Sequence, residues 1–76
     1  MSGEVFVREL VYEFLKAKHR VSEDEIVELL RSKGIKERLG YYMMTTLQAL
    51  LTSGEVELEI HEDGKRFWRF NGSRTV

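Results

Sequence analysis

Few side chains in this sequence could make or break bonds, and their spacing does not assemble them. The chain has no cysteine and two histidines, His19 and His61. Thiolate nucleophiles, disulfides and cysteine metal sites are therefore excluded. His19 and His61 lie far apart and share no helical ligand spacing, so they read as surface or junction imidazoles and no metal is expected. Ser22, His19 and Asp24 supply the residue types of a hydroxyl-nucleophile triad. Ser22, however, opens Ser22-Glu23-Asp24-Glu25, a capping-box pattern in which its hydroxyl takes an orphan N–H and Glu25 reaches back. Three carboxylates at a helix start then stabilise the helix dipole rather than hold a metal or move a proton. The glycines are scattered over caps and turns, so no phosphate-cradling loop is present. No catalytic constellation results; neither an enzyme nor a cofactor is expected.

What remains is charge arranged for binding. Residues 1–34 carry six basic and seven acidic groups, residues 55–63 carry five acids, and residues 64–76 carry Lys65, Arg66, Arg69 and Arg74 with no acid. The net charge of −1 argues against a strongly basic, histone-like nucleic-acid binder. A chain of 76 residues buries about 60% of its unfolded surface, enough for one thin core and one domain. No run of 18 apolar residues exists and the first residues lack a basic-then-apolar leader. A cytoplasmic location without membrane contact is the expectation.

The elements that position these groups follow from periodicity. A first helix is predicted over about Glu4 to Lys18, with Val7, Leu10, Val11, Phe14 and Ala17 on its buried face. Val5, Tyr12 and Leu15 form a second apolar stripe on the opposite side. A homodimer through that stripe is the expectation. Val21 is a candidate for a short strand. Helix two starts after Ser22, buries Ile26, Leu29 and Leu30, and closes at Arg31-Ser32-Lys33-Gly34, basic residues followed by a C′ glycine. Helix three is predicted over about 37–52. Leu39, Met43, Leu47, Leu50 and Leu51 point inward with Tyr42 and Thr46; Arg38, Tyr41, Thr45, Gln48 and Thr52 point outward.

Glu55 to Ile60 alternates strictly, the mark of a half-buried strand, and Arg66 to Phe70 returns antiparallel to it. A two-residue Asp63-Gly64 turn would mix the two faces. A three-residue loop, Asp63-Gly64-Lys65, with Gly64 left-handed, pairs Ile60 with Trp68, Leu58 with Phe70 and Glu59 with Arg69. Trp68 then packs inward against Ile60 while Phe67 faces out beside His61. The ordered domain is expected over about 4–71, with 72–76 a tail.

Three helices followed by a two-stranded hairpin, an α+β arrangement, resemble the winged-helix group of helix-turn-helix proteins. The resemblance is carried by Gly34-Ile35, by Leu47-x-x-Leu50-Leu51, and by Gly54-Glu55-Val56-Glu57 with Gly64-Lys65-Arg66-Phe67-Trp68. It implies a single winged-helix domain that binds duplex DNA, helix three in the major groove and the hairpin wing on the backbone. By position, Lys36, Arg38, Tyr41, Thr45 and Gln48 would be groove-side, and Lys65 and Arg66 wing contacts. The basic groups would meet phosphates, and Gln48 could read adenine. One departure is that Leu39 to Gly54 contains no Lys or Arg. A narrower resemblance, through Leu47 to Leu51 and Phe67 to Gly72, is to the small D proteins of dissimilatory sulfite reductase. It implies the alternative, a protein partner, for which the neutral face Tyr41, Met44, Thr45 and Gln48 has suitable composition.

Overall fold

The computed structural model describes residues 3–72, with side chains from residue 6 onward. The elements run α1 (Gly3–Lys18), β1 (Arg20–Ser22), α2 (Glu23–Ser32), α3 (Leu39–Ser53), β2 (Val56–Ile60) and β3 (Arg66–Phe70). The fold is α+β: three helices cover one face of an antiparallel sheet of order β1-β3-β2. The expected two-stranded hairpin is thus a three-stranded sheet, because Val21 pairs with Trp68 along the free edge of β3. Closing that edge satisfies backbone groups a hairpin would leave open.

In α1 the buried line is Val7, Val11 and Leu15, each at most 1% exposed. Leu15, expected on the outer stripe, is in the core, and Ala17, expected inward, is exposed. The apolar arc of this helix is wider than one face. Its neighbours settle which flank is covered, and covering a leucine rather than an alanine removes more apolar surface, worth about 1.5–3 kcal/mol for the full side chain. Tyr12 is half-buried, its ring set edge-on to Phe70 at 5.7 Å. Val5 lies outside the described side chains, and 73–76 of the expected tail outside the described residues.

Helix α2 starts as expected. Glu25 N–H donates to Ser22 Oγ and Ser22 N–H to Glu25 Oε2, both at 3.1 Å. It ends with Gly34 N–H on Arg31 O and Ile35 N–H on Leu30 O, while Gly34 takes φ +84. This pair of bonds satisfies carbonyls that a helix end leaves open. Helix α3 begins two residues later than expected, because Arg38 adopts the left-handed region, φ 58 and ψ 23, at its N-cap. Met43, Thr46 and Leu47 face the core.

The hairpin register differs from expectation by two residues. Leu58 opposes Trp68, Val56 opposes Phe70, and Ile60 opposes Arg66. The loop is Glu62-Asp63-Gly64, closed by His61 N–H to Lys65 O at 2.9 Å and Gly64 N–H to His61 O at 2.8 Å. A three-residue loop of this kind takes the left-handed residue last, and Gly64, at φ +88, is that residue. The expected loop would have required it at Lys65. A two-residue slip leaves the faces unchanged, so Trp68 is buried as expected, but between Val21 and Leu58. Ile60, expected beneath it, is 66% exposed.

Candidate nucleic-acid interface

The connection from α2 to α3 brings Arg31, Lys36 and Arg38 together with Leu39 and Gly40 around an open cleft of about 590 Å³. Each has a local reason to be there. Arg31 sits in the last turn of α2, where a cation meets the carbonyl end of the helix. Lys36 lies in the exposed link after Ile35. Arg38 is held by its own backbone twist and by its guanidinium lying 5.0 Å from the centre of the Tyr41 ring. A left-handed non-glycine residue costs about 1–2 kcal/mol. No side chain caps α3 and no acid lies in its first turn.

Of the outward residues of α3, Tyr41 is 54% exposed and Gln48 is exposed. Thr45 is half-buried, and its hydroxyl donates to Tyr42 O at 3.0 Å. Lys36, Arg38, Tyr41 and Gln48 are thus exposed in the link and along α3, Arg38 lying against Tyr41, while Thr45 is turned toward its own helix.

The hairpin tip is placed elsewhere. Lys65 and Arg66 line a second cleft of about 300 Å³ with Ser22, Glu23, Asp24 and Asp63, against the acidic start of α2. Arg66 Nη1 lies 3.6 Å from Glu23 Oε2. Glu23 Oε1 accepts the Trp68 indole N–H at 3.0 Å. One carboxylate thus ties the wing to the core tryptophan and to α2.

The outer face of the sheet is charged and internally paired. Arg20 Nε donates to Glu59 Oε1 at 3.2 Å, and Arg69 reaches Glu59 at 2.9 Å and also bonds Glu57. The hydrogen bond from Arg69, reinforced by Asn71, holds Glu57 below its ordinary value, and that from Arg20 does the same for Glu59. Phe67 lies among these groups, with Arg20 and the stacked His61 ring each 4.3 Å from its centre.

Arg31, Leu39 and Gly40 are the residues of the basic cleft that the sequence did not single out for binding. The run Arg31, Lys33, Lys36, Arg38 is visible in the chain, but Arg31 also serves as a helix-end cation, which masks it. A larger groove, about 690 Å³, runs between α1 and α3 and includes Glu9, Tyr12, Glu13, Thr46 and Glu55. Thr46 is 2% exposed and its hydroxyl has no partner. Among the described residues no three His, Cys, Asp or Glu side chains gather as a metal site. No described helix is long and apolar enough to cross a membrane. The chain matches no family model, no curated protein and no solved structure.

Proposed function

We propose that this protein is a non-enzymatic, duplex-DNA-binding module of the transcription-regulator kind, acting in the cytoplasm through α3 and its flanks. The observation that carries this reading is the pairing of exposed Tyr41 and Gln48 on α3 with Arg31, Lys36 and Arg38 beside its first turn. Phosphates would be met by the cations and base edges by Gln48, the division of labour that positions and then specifies. Leu15, one of the three residues of the expected homodimer stripe, is in the core, and Tyr12 is half-buried with its ring edge-on to Phe70 of the same chain, which weakens the support for a dimer through α1.

The test is retardation of a random duplex at about 50 mM salt by tens of micromolar protein. A DNA reader with a non-specific Kd of about 10⁻⁴–10⁻⁶ M at physiological salt tightens at the lower salt, so binding is expected. Absence of any retarded species overturns the reading. A second reading has its own support. Helix α3 contains no Lys or Arg, and Tyr41 and half-buried Met44 give its outer side an interface-like composition. In that case the partner is a protein, as for an accessory of dissimilatory sulfite reductase. Tyr41→Ala would then abolish partner binding while DNA stays unbound.

A further inference from the structure

The arginines of the sheet and wing differ in their partners from the cations of the α2–α3 connection. Arg20, Arg66 and Arg69 are each within ion-pair distance of a glutamate, and of the wing's cations only Lys65 meets none among the described residues. Along the α2–α3 connection, Arg31, Lys33, Lys36 and Arg38 meet no acid within ion-pair distance among the described residues. From Leu29 to Gly54 the sequence offers them one acid, Glu37. Three of these four cations converge on one cleft.

The local sequence there is also not the one that would best serve the helix. Arg38 is left-handed where an Asn, Asp or Ser cap would satisfy an N–H of α3. Gly40 is the second residue of α3, and a Cβ built on it meets nothing within 4 Å beyond the helix's own backbone. The fold therefore places no steric demand for glycine at a position where alanine favours the helix. A side-chain-free backbone beside three unpaired cations allows close approach of an anion.

We infer that the cleft of Arg31, Lys36 and Arg38 is the phosphate anchor of the protein, and that its occupant is a phosphodiester of the duplex backbone. The guanidinium groups match two oxygens of a phosphate, and Lys36 adds a point charge. The wing offers one unpaired cation, Lys65, against three in the cleft, because Arg66 is drawn to Glu23 at 3.6 Å. This inference rests on the duplex-binding reading and places its main electrostatic contact at the α2–α3 connection, whereas the resemblance shares it with the wing.

The experiment measures binding of a random-sequence duplex by fluorescence anisotropy across a salt series. It compares the wild type, Arg66→Gln, and a triple variant, Arg31→Gln with Lys36→Gln and Arg38→Gln. All four positions are exposed, and far-UV circular dichroism checks that the variants are folded. If each cleft cation neutralises one phosphate, the triple variant flattens the slope of log K against log salt by about 2.7, while Arg66→Gln leaves it within about 0.3. A triple variant with the wild-type slope, or an Arg66→Gln variant that alone flattens it by about 0.9, overturns the inference while leaving duplex binding intact. If no duplex binds, that reading falls, and a titration with inorganic phosphate decides the cleft by itself. Shifts of the Leu39 and Gly40 amide resonances in the wild type and not in the triple variant support it as a phosphate site; no shift in either overturns it.

Discussion

One carboxylate, Glu23, joins the wing to the core tryptophan, and the contact can be tested by removing the indole donor. Trp68 is 1% exposed, opposite Val21 on one side and Leu58 on the other, with its indole N–H on Glu23. Trp68→Phe keeps an aromatic ring in that slot and removes the donor. A hydrogen bond to a charged acceptor is worth about 1.5–3 kcal/mol. The Glu23 side chain is 23% exposed, so water can replace part of the bond and the lower end, about 1.5 kcal/mol, applies. The smaller ring leaves unfilled volume that adds about 1 kcal/mol. A loss of about 2.5 kcal/mol is expected against a total stability of about 4–11 kcal/mol for a domain this size. The midpoint of thermal unfolding should fall by about 10–20 °C.

The assay is urea unfolding followed by far-UV circular dichroism, since the variant has no tryptophan to report by fluorescence. Glu23→Ala is the second arm. It removes the acceptor of the indole N–H and the partner of Arg66 together, so about 2 kcal/mol should be lost. If the indole and the carboxylate interact directly, the double variant loses less than the two single losses together, by about 1 kcal/mol. Strict additivity, or a Trp68→Phe variant within about 0.5 kcal/mol of the wild type, would falsify the Glu23–Trp68 contact and with it the docking of the wing onto α2.

Other outcomes follow from the same geometry. Gly64→Ala should destabilise by about 1–2 kcal/mol through its left-handed backbone alone, as nothing lies within 4 Å of the added carbon, whereas Gly40→Ala should raise stability by up to about 1 kcal/mol; thermal melts of both variants check the pair. Glu57 and Glu59 titrate below the ordinary value of 4.5, so their contribution is present above that pH and is lost as pH falls below it through the depressed values. Arg69→Gln should shrink that acid-side loss, read from urea midpoints between about pH 5 and pH 2.5. Light scattering should give a monomer of 9.0 kDa, and a doubled mass would restore the case for α1 as an interface.

The fold was legible where one residue type has one physical use. Ser22 with Glu25 could only be a cap, Gly34 and Gly54 could only end helices in the left-handed region, and the alternation from Glu55 to Ile60 could only be a strand with one dry face. It was not legible where two registers bury the same face. Loops of Asp63 to Lys65 and of Glu62 to Gly64 both put Trp68 inward, and they differ only in which residue must take a positive φ. Read as a demand on backbone conformation, Gly64 alone decides for the second. Leu15 was misplaced for a related reason. A wide apolar arc shows that a helix is buried but not which of its flanks is covered, and that is settled by elements distant in the chain, here α3 and the sheet.

The candidate site shows the same limit in electrostatic form. Sequence identifies every cation, yet whether a cation is available to a ligand depends on which acids the topology brings beside it. Arg66 looks free in the chain, where no acid follows it, but antiparallel pairing of β3 with β1 carries it to the start of α2 and Glu23. Arg69 is met by Glu57 and Glu59 for the same reason, since β2 and β3 run side by side. The link from Arg31 to Arg38 belongs to no strand and has no partner strand to supply acids. Its cations meet no acid within ion-pair distance among the described residues because it joins two helices, whereas on the wing Arg66 and Arg69 are paired and only Lys65 is not.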